Sequence, residues 1–170
     1  MTGAGSIKGQ GGPVFRERVL REYEREFLRD IGRRVEYKKG RILFRAGESA
    51  GKIFLVENGQ VGVGRISGDE LNMSVERLRR PGELVGLCAF FCSDRSCDAQ
   101  ALSDVTVLSV DRDDFQELLN SDPFFLKSIM SILHERAESC GSAEDGIGYA
   151  EKSCTGARKF SRDNCQTDDR

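Results

Sequence analysis

Apolar positions recur at two different periods along this chain. From Val14 to Gly32 they fall every fourth residue, at Val19, Tyr23, Phe27 and Ile31, with Leu20 and Leu28 beside them and Arg and Glu filling the remainder. That spacing predicts an amphipathic helix with one apolar stripe. Beyond Gly32 the period shortens and turn residues interrupt it. Arg34–Tyr37 leads to Lys38-Lys39-Gly40, Arg41–Arg45 to Ala46-Gly47-Glu48, and Ile53–Val56 to Asn58-Gly59, a strong hairpin signal. Gln60–Arg65 follows, ending at Ser67-Gly68-Asp69, and Leu71, Met73 and Val75 then alternate with polar residues as in a half-buried strand. After a short apolar turn, Ala99–Leu102 and Val105–Asp111 resume the strands. About eight strands at this spacing indicate a barrel or jelly roll.

The helical period then returns. Asp111 is placed to cap a short helix carrying Phe115, Leu118 and Leu119. Ser121-Asp122-Pro123 starts another, with proline at the favoured first position and a stripe of Phe125, Ile129, Ile132 and Leu133. Phe124, Leu126 and Met130 widen that stripe, which predicts burial on two sides, one of them against a partner subunit. The ends differ in character. Residues 1–13 hold five glycines and a proline, and residues 141–170 hold no Leu, Val or Met. Neither stretch has the apolar surface to offset its ordering entropy. The expected organisation is a disordered lead over 1–13, one domain over 14–140, and a disordered tail over 141–170.

Charge narrows the function classes. With 26 basic and 28 acidic residues the net charge is −2, too balanced to recruit nucleic acid or an anionic membrane. No run approaches the ~18 apolar residues of a membrane span. The first residues lack a secretory pattern, so a cytoplasmic location with reduced thiols is expected. Of the six cysteines, Cys88, Cys92, Cys97, Cys140, Cys154 and Cys165, no two are spaced as C-x-x-C, and the single His134 cannot complete a two-histidine zinc site. No metal and no cofactor is expected. Nor does any nucleophile–base constellation exist, so the chain is not expected to be an enzyme.

One segment carries chemistry. Gly82–Phe91 reads as a strand, a tight glycine at Gly86 and a short apolar helical turn, and Arg95-Ser96 follows four residues later. Backbone N–H groups at a helix start favour an anion, and a guanidinium fork matches two phosphate oxygens. A phosphate cradle is therefore expected from Gly86, Leu87, Cys88, Ala89, Arg95 and Ser96, with Val63, Met73, Leu84 and Val85 as its apolar wall. On residues alone, the competing reading of Arg95 is a surface arginine paired with Asp94 or Asp98.

The order of helix, eight strands, cradle between the sixth and seventh, and two closing helices resembles the cyclic nucleotide-binding domain of the catabolite activator and fumarate–nitrate regulator (Crp/Fnr) superfamily, over about Glu22 to Ala137. Three stretches carry the likeness: Tyr37–Glu48, resembling the family's second hairpin; Ile53–Val61, resembling its third and fourth strands; and Pro81–Gly86, resembling the approach to its phosphate cassette. The resemblance implies a mainly β fold, a jelly-roll β-barrel (double-stranded β-helix) flanked by an N-terminal helix and two C-terminal helices. It implies that Arg95 grips a cyclic phosphate and that Ser96 adds a hydrogen bond. Where nucleotide-binding members carry a glutamate for the ribose 2′-hydroxyl, this chain has Leu87. Losing such a charge-assisted bond costs about 1.5–3 kcal/mol, or roughly 10- to 100-fold in affinity. Asp98 adds a carboxylate near the site. No patterned sequence for a DNA reader follows the terminal helix, so direct DNA binding is not expected.

Three functions follow from these features. The first is a non-catalytic sensor that binds cyclic AMP, cyclic GMP or a related anion and signals through the helices after Asp111. The second is an interaction module with a degenerate pocket, a truncated regulator that forms a homodimer through helix 123–139. The third is a thiol sensor using Cys88, Cys92 and Cys97.

Overall fold

The computed structural model describes residues 19–67, 73–90 and 92–141. The expected lead, and the tail beyond Gly141, lie outside them. Eight strands run β1 (Arg33–Tyr37), β2 (Ile42–Phe44), β3 (Lys52–Asn58), β4 (Val61–Ile66), β5 (Met73–Arg79), β6 (Leu84–Val85), β7 (Asp98–Ala101) and β8 (Val105–Asp111). They form two antiparallel four-stranded sheets, ordered β1-β8-β3-β6 and β2-β7-β4-β5. The expected mainly β jelly roll is therefore present. Its two sheets face each other without closing into one ladder. Helix α1 (Glu22–Ile31) precedes them, and α2 (Arg112–Ser121) and α3 (Pro123–Gly141) follow.

Alternation along the first sheet sorts its side chains into two cores. Phe54, Val56, Val85, Val105 and Val107 point at the second sheet, where they meet Phe44, Val61, Ala99 and Ala101. Their neighbours Ile53, Leu55, Leu84, Leu108 and Val110 point the other way, under Leu20, Leu28, Phe115, Leu119, Phe125, Ile129 and Ile132 of the helical layer. A sheet covered on both faces explains the uninterrupted apolar run Ile53-Phe54-Leu55-Val56.

Two local expectations fail. Asn58-Gly59 is not a hairpin, because β3 pairs with β8 and β6 while β4 pairs with β5 and β7. The turn instead carries the chain from one sheet to the other. There Gly59 takes φ 83°, and a Cβ would stand 2.2 Å from the Asp104 carbonyl. The turn after Tyr37 crosses between the sheets in the same way, leaving β4–β5 as the paired neighbours in sequence.

The stripe on α1 is the second failure. Val19, Tyr23, Phe27 and Ile31 are exposed, and Leu20, Glu24 and Leu28 are the buried set. Glu24 is wholly buried. It accepts from the Arg21 N–H at 2.6 Å and from the Ser128 hydroxyl of α3. A carboxylate within the true stripe disguised it as polar. On α3 the expected stripe holds for Phe125, Ile129 and Ile132, and Leu133 packs on its edge. Asp111 flanks α2 without a side-chain cap, whereas Asp122 Oδ1 accepts from the N–H groups of Phe124 and Phe125 and so caps α3.

Candidate functional site

The site is built on β6, the 3₁₀ turn Leu87–Phe90 and the loop 92–97. That loop is pinned to residues 47–50. Arg95 N–H donates to the Glu48 carbonyl at 2.7 Å, Gly47 N–H to the Arg95 carbonyl at 2.8 Å, and Ala50 N–H to the Ser93 carbonyl at 2.8 Å. The pairing fixes the Arg95 backbone and aims its side chain between the sheets.

Arg95 is not a surface arginine, being only 4% exposed. Its guanidinium carbon lies 4.1 Å from the centroid of the Phe44 ring and 5.9 Å from that of Phe54. The two rings are stacked on each other, so they form an aromatic platform under the cation. Nη1 donates to the Gly86 carbonyl at 3.2 Å, and Nη2 donates to the Lys52 carbonyl. Among the described residues, Arg95 Nε is the buried side-chain atom left without a hydrogen-bond partner. Neither Asp94 nor Asp98 forms an ion pair with it.

Gly86 is required here twice over. Its φ of 84° disfavours a side chain, and a Cβ would stand 2.5 Å from Arg95 Nη1. Glycine and arginine, nine residues apart in sequence, are thus parts of one feature.

The other expected residues divide. Val85 and Val63 belong to the core between the sheets, beside the Arg95 platform. Leu84, expected on the same wall, belongs to the opposite core because adjacent strand residues face opposite ways. Leu87 and Ala89 are also buried under the helices, so neither side chain lines the cradle. The Ala89 N–H donates to the Gly86 carbonyl at 3.1 Å, which withdraws it as an anion donor. Met73 is half-exposed at the end of β5, and Ser96 is half-buried beside Arg95. Cys88 falls in the 3₁₀ turn; Cys92 and Cys97 are half-buried thiols, and Cys97 packs on the inter-sheet core.

The Asp98 carboxylate is used internally. It accepts from the Ala46 N–H at 2.8 Å and the Ile66 N–H at 2.7 Å, joining the turn after β2 to the end of β4. Three contributors escaped the sequence reading: Phe44 and Phe54 under the guanidinium, and Arg136 of α3, which donates to the Leu84 carbonyl at 2.7 Å. Aromatics at strand positions read as core, and nothing in the spacing of Arg136 pointed to β6. Among the described residues, no group of three or more His, Cys, Asp or Glu could hold a metal, and no helix is long and apolar enough to cross a membrane.

Comparison with known families now adds to this geometry. The cyclic nucleotide-binding domain family matches residues 34–122, more than half of the chain. The chain belongs to the cyclic nucleotide-binding domain family. Solved structures agree. A protein of a cyclic-GMP-dependent signalling pathway regulating bacterial phytopathogenesis is 26% identical, with a TM-score of 0.59, over 71% of this chain and 96% of that one. The N-terminal domain of a transcriptional regulator from Streptomyces coelicolor is 25% identical, with a TM-score of 0.55, over 73% and 89%. The catabolite activator protein of Thermus thermophilus is 25% identical, with a TM-score of 0.61, over 71% of this chain and 56% of its own. This cyclic nucleotide-binding domain thus spans about half the length of that activator. A search of curated proteins gave no match.

Proposed function

We propose that this domain is a non-catalytic sensor whose ligand is a cyclic nucleotide, cyclic AMP or cyclic GMP, and that Arg95 is the residue that holds the cyclic phosphate. The observation that carries this reading is the state of Arg95: a buried guanidinium, stacked on two aromatic rings, with one N–H unsatisfied. A buried unpaired donor is costly, and a phosphate is an acceptor matched to that fork. Without ligand, the carbonyls of Gly86 and Lys52 substitute for phosphate oxygens. In this reading Ser96, next in sequence and half-buried, adds a hydroxyl to the phosphate. Family membership and the cyclic-GMP-dependent pathway of one structural neighbour support the ligand class. With Leu87 turned into the helical core, the phosphate contact dominates recognition.

The signal leaves through the helices. Strand β6 is held on one side by Arg95 at Gly86 and on the other by Arg136 at Leu84. Releasing the Gly86 carbonyl when Arg95 turns to a phosphate loosens one hold, and α3, attached by the other, shifts between two positions. The receiving partner in this proposal is a second copy bound along helix 123–139, in the cytoplasm, with no direct DNA contact by this chain.

Calorimetric titration of the full chain with cyclic AMP and then cyclic GMP tests the reading. Saturable heat that disappears in Arg95→Ala, with Arg95→Lys as the variant that keeps the charge, supports it. Absence of heat for either nucleotide at millimolar concentration overturns it. One observation favours the alternative of a ligand-free interaction module: Leu87 lies in the core, and Phe124 and Met130 on α3 are exposed. That alternative predicts dimerisation with no nucleotide heat.

A further inference from the structure

Outside the sandwich, beside α1, β1, β3 and β8, lies a cleft of about 340 Å³ lined by Arg25, Arg29, Arg34, Glu57, Asn58 and Thr106, with β3 at Leu55 and Val56 beneath it. It is separate from the Arg95 site and falls within the size range of small-ligand clefts. The three arginines share one arrangement. Each is anchored to the protein through Nε: Arg25 to the Leu20 carbonyl at 2.8 Å, Arg29 to Glu57 Oε1 at 3.3 Å, and Arg34 to Glu57 Oε2 at 2.8 Å. Glu57, with its side chain 11% exposed, is the template that holds two of the three forks.

Anchoring through Nε leaves the terminal nitrogens for another acceptor. At present that acceptor is Glu22, a rim residue whose side chain is 63% exposed. Arg29 Nη1 donates to Glu22 Oε1 at 2.6 Å, and Arg25 Nη1 approaches Glu22 Oε2 at 3.7 Å. The Arg29 hydrogen bond holds the Glu22 carboxyl below the usual carboxylate range, and Glu22, then Glu57, raise Arg29. Arg34 makes no terminal-nitrogen contact to either carboxylate. The lining therefore holds three guanidiniums, each anchored through Nε, against one buried carboxylate, with the exposed carboxylate of Glu22 at the rim.

We propose that this cleft is a second binding site, for the phosphate of a small soluble phosphate monoester, and that Glu22 is its internal stand-in. A phosphate dianion offers more charge and more acceptors to three converging forks than one carboxylate does. Glu22 is long and exposed, so it swings out at little cost. Glu57 stays, because it sets the arginine geometry.

The proposal is tested by NMR titration of the ¹⁵N-labelled full chain with inorganic phosphate, AMP and glucose 6-phosphate at constant ionic strength. The amides of Asn58 and Thr106 report the cleft. Saturable shifts are expected, tighter for the monoesters than for inorganic phosphate. They are lost in Arg29→Gln and weakened in Arg34→Gln, an exposed change that spares the fold. They persist in Arg95→Lys, which separates this site from the sensor site. The decisive variant is Glu22→Gln. Removing a competitor tightens monoester binding by about two- to fivefold. A surface ion-pair network without a ligand gives shifts that track salt and are the same in Glu22→Gln as in wild type. That result, or shifts at Asn58 and Thr106 that vanish with Arg95, overturns the proposal.

Discussion

Arg95 and Gly86 constrain each other, and comparing two glycines isolates that constraint. Gly40 and Gly86 have nearly equal φ, 85° and 84°, but a Cβ at Gly40 meets nothing within 4 Å. Gly40→Ala therefore pays the left-handed backbone penalty alone, about 1–2 kcal/mol. Gly86→Ala adds the collision with the guanidinium. In urea denaturation Gly86→Ala is expected to lose clearly more stability than Gly40→Ala, and in calorimetry to lose nucleotide binding that Gly40→Ala keeps. Equal losses in both assays would mean that Arg95 adjusts freely. Asp98→Asn is the second test at this scale. The carboxylate accepts two backbone N–H groups in a buried position, and such bonds to a charge contribute about 1.5–3 kcal/mol each. The amide keeps one acceptor, so a loss of about 2 kcal/mol in unfolding free energy is expected, with nucleotide affinity little changed. The glycine and the arginine could be read from the chain because few residue types perform their roles. The wall could not be read as a block, because Leu84 and Val85 are neighbours on a strand and must face opposite cores.

Between elements, the contact to probe is Glu24 of α1 with Ser128 of α3. The two residues are 104 apart in sequence and both are buried, so the bond fixes one helix against the other. Ser128→Ala removes one of two hydroxyl donors to Glu24 Oε1, leaving the Tyr23 hydroxyl at 3.3 Å, at a cost of about 1.5–3 kcal/mol. Urea unfolding of that variant should show the loss with an unchanged denaturant slope, since the helices still pack. No loss would mean that water replaces the hydroxyl. This bond was invisible in the sequence for a physical reason. A four-residue period fits Val19, Tyr23, Phe27 and Ile31 as well as Leu20, Glu24 and Leu28, and hydropathy prefers the first set. The hydrogen bonds from the Arg21 N–H and the Tyr23 and Ser128 hydroxyls allow the second set, with a carboxylate inside it, to be the buried one. Most strands were legible to within about two residues, since alternation and turn residues mark them directly, but β5 runs to Arg79, four residues past the Val75 where the alternation was read to end. Their pairing was not: Asn58-Gly59 specifies a tight turn, and the same turn serves a hairpin or a crossing between sheets.

At the scale of the whole molecule, the helices cover the outer face of the first sheet, and α3 leaves part of its own apolar surface uncovered. Phe125, Ser128, Ile129 and Ile132 face inward, while Leu126 and Met130 are exposed and Leu133 is half-buried. Those last three follow an i, i+4, i+7 spacing, which places them on one flank of a 19-residue helix about 28 Å long. Leu126 and Met130 were readable as part of this second stripe from the breadth of the apolar face, whereas Leu133 reads with the inward stripe, on whose edge it also packs. In the proposed homodimer it meets its own copy across a twofold axis, where each Met130 packs on its counterpart's flank. Met130→Glu places a carboxylate at that seam and leaves the inward face untouched, so folding should be kept. Sedimentation equilibrium is expected to give the dimer mass for wild type and the monomer mass for Met130→Glu at the same concentration, with the thermal midpoint of the fold little changed. A wild-type chain that stays monomeric at about 100 µM, weaker than a micromolar-range contact would allow, removes the dimer and leaves the stripe to a different partner. If the dimer forms and its dissociation constant shifts when cyclic nucleotide is added, linkage requires nucleotide affinity to shift by the same factor on dimerisation. Measuring both, in wild type and in Arg136→Met, tests whether the hold of α3 on Leu84 carries that coupling: the mutant should keep dimerisation and nucleotide binding while the two cease to affect each other.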